Sequence, residues 1–249
     1  MIEQLRQRLQ ALQKTAGIED GPGGSLQALP LGIAAIDAAL GGGLARGALH
    51  EIAAPSEAHL AAATGFALGL ISSCRLLWIA EGMALSESGA PYGPGLDAFK
   101  LVPERLLTVN VAHRRDLLWA MEEALRCRAI GAVIGEWRHG EIDMVAMRRL
   151  SLAAAESGAL ALLLRGAPSI EASTAATRWI VGAAPSAAAH GPGLPRFAAH
   201  LVRNRRGPIE SWILEWSDSD ERFLLATPAQ PVAAPALDRP PRQVTRKVA

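Results

Sequence analysis

The stretch from Leu29 to Ala67, LPLGIAAIDAALGGGLARGALHEIAAPSEAHLAAATGFA, sets the strongest limit on how this chain can fold. It reads as an apolar turn, a short helix closed by glycines, a hairpin and a buried strand at Ala48–Ala53. A loop comes next, then a helix starting near Leu60. A strand that runs straight into a loop and a helix is where nucleotide-binding α/β proteins hold phosphate, because N–H groups at the helix N-terminus face the anion. The P-loop version needs Gly-x-x-x-x-Gly-Lys-Ser/Thr. Its glycines let the backbone curl, its lysine neutralises phosphate and its hydroxyl holds Mg²⁺.

The remaining chain alternates short apolar runs with amphipathic segments. Strands are expected at Arg75–Glu81, Leu106–Val111, Ile130–Trp137, Ala159–Leu164, Ile180–Val181, Phe197–Arg206 and Ser211–Trp216. Helices are expected at Leu60–Ile71, Arg114–Arg128 and Met144–Ser157, the last capped by Asp143 and ended by Gly158. Gly82–Gly95 reads as a surface loop, Thr174–Trp179 as a helix or turn, and Ala183–Arg196 as a small-residue connection. The pattern predicts an α/β fold: a mainly parallel central sheet with helices on both faces and antiparallel strands at the C-terminal edge. The chain divides into three regions: an N-terminal amphipathic helix and linker over 1–25, the domain over 26–226, and a Pro-rich basic tail over 227–249 that composition marks as disordered.

The phrase LGIAAIDAALGGGLARGALHEI resembles the entry to the RecA core, where a similar run of Leu, Asp and paired glycines leads into a Glu-Ile strand. With Glu51-Ile52 placed on that strand, Ala54 falls where the first loop glycine belongs. His59 falls at the second glycine, Leu60 at the lysine and Ala61 at the threonine. Glu57 adds negative charge where phosphates would sit. The resemblance further implies that Glu81 stands at the water-polarising glutamate and Glu136 at the end of the Walker B strand, both left without a bound nucleotide. Tyr92 corresponds loosely to an adenine-stacking tyrosine. Arg165–Ser173 takes the place of the second DNA-binding loop, with Arg165 its single cation opposed by Glu171. A RecA-like chain with an emptied P-loop resembles the ImuA-type, SulA-like proteins of bacterial mutagenesis cassettes, over roughly Leu29 to Leu225.

That resemblance implies an SOS-induced, non-catalytic accessory protein in translesion synthesis. Its partners would be RecA, a Y-family-like partner or an error-prone replicative-type polymerase, with self-association and a weak DNA contact also open. No cofactor is expected. Two other readings are a working ATPase or DNA-binding recombinase with a divergent loop, and a cell-division inhibitor.

Ile2, Leu5, Leu9 and Leu12 lie at helical spacing near the N-terminus, either laid on their own domain or offered to a partner. Arg203-Asn204-Arg205 echoes the Lys-Asn-Lys strand by which RecA proteins reach a neighbour's ATP. With Arg206, it reads equally as a protomer or phosphate contact and as a solvated edge strand. Glu136, His139, Glu141 and Asp143 match no zinc spacing, so no metal is expected. Cys74 and Cys127 read as buried thiols. The net charge of +1 confines any nucleic-acid contact to a local patch. With no membrane-length apolar run, a cytoplasmic protein is expected.

Overall fold

A computed structural model describes residues 2–15, 28–71, 74–186 and 193–226 of the chain. The linker expected at Gly17–Ser25 and the tail from Thr227 lie outside the described residues. One nine-stranded sheet organises the rest. Its parallel part runs β8 (Thr177–Ala183), β3 (Ala48–Ala53), β7 (Leu160–Arg165), β6 (Ala132–Trp137), β4 (Leu76–Glu81), β5 (Leu106–Val111). Three antiparallel strands extend it beyond β8, namely β9 (Arg196–Asn204), β10 (Ser211–Ser217) and β11 (Arg222–Leu225). The fold is therefore the expected mostly parallel sheet with an antiparallel C-terminal edge. A small ribbon, β1 (Ala28–Leu29) with β2 (Leu44–Ala45), brackets the helix α2 (Ala34–Ala39).

The entry phrase folds for local reasons. Asp37 accepts the N–H groups of Leu31 at 2.7 Å and Gly32 at 3.0 Å, fixing the turn before α2. Gly43 has φ +124°, and a Cβ there would collide with the Leu29 carbonyl, so only glycine closes this ribbon. His50, buried on β3, has a defined tautomer. Ala45 O can only accept, so Nε2 donates to it at 2.8 Å. The Thr177 hydroxyl accepts from Trp179 Nε1 at 2.9 Å and so donates to His50 Nδ1 at 2.7 Å.

Helices cover both faces. On one face lies α3 (Leu60–Ile71), apolar all round because it packs on β3, β7, β8 and β9 beneath an aromatic wing. Phe66, Phe99, Trp179, Phe197, Trp216 and Phe223 make a continuous ring cluster over it. Gly65 and Gly69, one turn apart, leave the flat stripe that Phe99 and Phe223 occupy. On the other face lie α6 (Arg114–Arg126), α7 (Met144–Ser157) and the N-terminal helix α1 (Ile2–Thr15). Asp143 accepts from Val145 N at 2.7 Å and Gly158 ends α7 at φ +78°, so both signals read in the sequence operate.

Three sequence expectations need correction. Gly82–Gly95 is no open loop: α4 (Gly82–Ser88) and α5 (Gly93–Ala98) form there, with Ala84 buried and Leu85 packed on the core. Thr174–Trp179 is not helical, because Thr177 already pairs with both β3 and β9. The strand β11 was not anticipated; its four residues are held by Phe223 in the aromatic cluster.

Two measurements check this packing. Gly69→Val drives a side chain into the Phe223 ring, and overpacking of about 1–3 kcal/mol exceeds the few tenths gained in helix propensity. Urea unfolding should show a loss in that range. Burial lowers the His50 pKa from 6.5 to about 4. Its stabilising contribution is therefore complete above pH 6.5 and declines as pH falls toward 4, by at most about 3 kcal/mol. Imidazole NMR shifts for His50 should stay flat until the pH is well below 6.

Candidate functional site

The site begins where β3 ends. Ala54 N–H donates to Arg165 O at 3.1 Å, tying the loop to β7. Pro55 has no N–H to give. His59 N–H closes a 3₁₀ turn (Glu57–His59) onto Ser56 O at 2.9 Å. On the other side, His59 Nδ1 accepts Ala183 N–H at 3.0 Å, while Pro55 and His59 pack against Gly182 of β8. No residue from Ala54 to His59 takes a positive φ. The curled cradle of free N–H groups that phosphate requires is thus replaced by a loop bonded to the two strands beside it.

Leu60 is half-buried and Ala61 exposed at the start of α3. They face a cavity of about 460 Å³ closed by Leu96, Phe99 and Tyr92, and Tyr92 is 75% exposed at its mouth. Glu57 sits exposed at the rim and contributes negative charge.

Glu136 forms the floor. Trp78 Nε1 donates to its Oε2 at 3.3 Å, and Arg138 Nε donates to its Oε1 at 2.7 Å while Nη2 donates to the same oxygen. Arg138 Nη1 also reaches the Ser88 hydroxyl on α4. Both carboxylate oxygens are occupied, and a guanidinium holds the charge that a Mg²⁺ ion would otherwise balance. Glu81 ends the neighbouring strand and shares a pocket of about 50 Å³ with Glu136, Arg138 and Arg114. The structure therefore brings Ala54, His59, Leu60, Ala61, Glu81, Glu136 and Tyr92 to one end of the sheet.

The acidic segment after β6 separates into different tasks. His139 and Glu141 are exposed, and Asp143 caps α7. Among the described residues no group of three or more His, Cys, Asp or Glu is placed to hold a metal. Glu171 packs near Glu141, and its carboxyl pKa is raised by desolvation and then by that second acid.

Two expected contact surfaces take another form. Leu5 and Leu9 are each 5% exposed and Leu12 is half-buried, packed with Leu117, Met121 and Leu125 in the domain's own core. Arg6 pairs with Glu123 at 3.1 Å and lies over the Trp119 ring, and Cys127 Sγ donates to Leu9 O. The helix is laid on its own domain, and Leu5 and Leu9 are not available to a partner; the Ile2 side chain lies outside the described residues. Arg203, Arg205 and Arg206 do not lie on an edge strand: Arg203 stands opposite Arg178 of β8 near the end of β9, Arg205 and Arg206 lie in the turn beyond it, and the edges of the sheet are β5 and β11. Arg205 donates to Ser173 O at 3.4 Å and Arg206 to Gly41 O at 3.0 Å, fastening the turn to the glycine ribbon.

Sequence reasoning missed a buried ion cluster beside the loop. Glu51, 2% exposed on β3, pairs with Arg178 at 3.2 Å and Arg165 at 3.9 Å, and accepts the Ser173 hydroxyl. Arg165 therefore belongs to the interior, where burial lowers its pKa, and is not a loop cation for DNA. The available signal was a carboxylate inside an apolar strand, which must find cations when buried. Glu51→Ala leaves two guanidinium groups without that partner and should cost about 3–5 kcal/mol in a urea titration.

No family model matches this chain. It is 28% identical over 196 residues to Protein ImuA of Caulobacter vibrioides strain NA1000 / CB15N, covering 70% of this chain and 77% of that protein. The same figures hold for Protein ImuA of Caulobacter vibrioides strain ATCC 19089 / CIP 103742 / CB 15. Among solved structures, the RadB recombinase superposes with a TM-score of 0.55 over 80% of this chain and 100% of that one. At 16% identity that likeness concerns the fold.

Proposed function

We propose that this chain, an ImuA-type protein with a RecA-like fold, is an accessory factor of mutagenic DNA repair that works through protein contacts and turns over no nucleotide. The observation that carries the reading is the loop Ala54–His59. Its Ala54 N–H is committed to β7, its imidazole to β8, and its lysine position is filled by Leu60. The Arg138–Glu136 pair supports the same reading, since the carboxylate that would organise Mg²⁺ is already neutralised. No helix among the described residues is long and apolar enough to cross a membrane. In this reading the partners are RecA or components of an error-prone polymerase, and the RecA-like shape is kept as a docking form.

The cavity beneath Tyr92 favours the alternative of a nucleotide-binding protein, because an exposed ring beside the start of α3 suits a base. Isothermal titration with ATP and Mg²⁺ decides between the two. The accessory reading expects no binding heat up to about millimolar nucleotide, whereas a micromolar Kd would overturn it.

A further inference from the structure

The amino ends of the parallel strands carry a run of arginines that the fold does not use. Arg105 precedes β5, Arg75 precedes β4, Arg128 lies in the turn before β6, and Arg46 lies in the turn before β3. Arg203 joins them, because β9 descends antiparallel and ends beside the start of β8. Backbone bonds tie the row together: Gly131 N to Arg75 O, Leu160 N to Gly131 O, Gly47 N to Ala159 O and Arg205 N to Ala176 O.

None of these five arginines forms an ion pair with a carboxylate among the described residues. Arg75 and Arg105 are exposed and the other three half-exposed. The buried and half-buried arginines elsewhere include several with internal partners: Arg138 with Glu136, Arg165 and Arg178 with Glu51, Arg196 with Glu215. The carboxylates on the amino end are few: Glu104, Glu156 and Glu210 are exposed there, and the exposed Glu221 lines a pocket with Arg105 and Lys100.

We propose that this amino end of the sheet is a binding surface for the phosphodiester backbone of a nucleic-acid duplex. From β5 to β9 the strand order makes six steps of about 4.8 Å, so the cations span roughly 29 Å. At about 3.4 Å per base pair that is the axial length of some eight or nine base pairs, close to one turn of a duplex. The exposed aromatic Tyr92 lies at the opposite end, so this surface tracks backbone charge without stacking bases, which selects a duplex over a single strand. The site is separate from the loop at Ala54–His59 and does not depend on whether nucleotide binds there.

The test is fluorescence anisotropy of the full chain with labelled duplex DNA of about 20 base pairs, at about 50 and 200 mM salt. The triple variant Arg75→Gln, Arg105→Gln, Arg128→Gln should bind at least about tenfold more weakly at the lower salt. Its log–log salt slope should fall by roughly 2.7, at about 0.9 per lost phosphate contact. The double variant Arg75→Gln, Arg105→Gln, confined to exposed side chains, should show about two-thirds of that change in slope. Exposed cations elsewhere serve as the control, and Arg115→Gln with Arg148→Gln should leave binding unchanged. The assignment is overturned by any of four results: no salt-dependent binding by the unaltered chain, an equal loss in the control, tighter binding of a single strand of the same length, or binding that survives the triple variant. The last result, with binding lost on neutralising Arg239, Arg242, Arg246 and Lys247, would move the contact to the tail.

Discussion

The carboxylate of Glu51 constrains the structure more tightly than any apolar contact around it. It lies on the strand with parallel neighbours on both sides, so water cannot reach it and its charge must be balanced within the protein. Arg165 comes from β7 and Arg178 from β8, so the partners arrive from opposite flanks. Hydrophobic packing alone would accept a strand slid by two residues, because the same faces stay inward. The ion cluster accepts only the observed register. It also orders the segment between β7 and β8, since Arg178 donates to the carbonyls of Ser169 and Glu171 as well as to Glu51.

The strand end above Glu51 shows what holds a strand–loop–helix unit together when its loop carries neither glycine nor lysine. In a strand–loop–helix unit the helix is held by burial, and α3 buries apolar side chains against four strands whatever its first turn contains. The loop is then free to change, provided its N–H groups find acceptors. Here Ala54 N–H finds Arg165 O and His59 N–H finds Ser56 O, while the His59 ring accepts the Ala183 N–H of β8. On the floor of the site, Arg138 and Trp78 do for Glu136 what a metal and its waters would do elsewhere.

Much of this was legible in the sequence, and the limits have physical causes. The bounds of β3, α3 and α7 come from local signals: an apolar run, a helix start, an Asp cap and a left-handed glycine. The residues that the resemblance sets at the loop glycine and lysine positions could be named once Glu51-Ile52 was placed on the strand. Interactions between distant segments were not legible. Arg165 reads as a loop cation until β7 is placed beside β3, and Leu5 and Leu9 read as either an own-domain face or a docking stripe until α6 is seen beneath them. Gly82–Gly95 carries the composition of a loop, yet Ala84 and Leu85 find apolar surface and α4 forms.

The net charge of +1 conceals two ends of unlike character. At the carboxyl ends of the parallel strands Glu57, Glu81, Glu87, Glu141 and Glu171 gather, and the arginines among them are bonded to neighbouring side chains or carbonyls. An approaching phosphate there would meet acidic groups and guanidinium groups already satisfied. At the amino ends the balance reverses, and Arg46, Arg75, Arg105, Arg128 and Arg203 stand at or near strand ends with no ion pair among the described residues. Burial explains the first arrangement, because an interior arginine must be matched. It places no such demand on the second, where water solvates each guanidinium and any sequence with enough polarity would fold as well. An excess of unmatched cations on one end of a nearly neutral domain is therefore a feature that folding alone leaves unexplained.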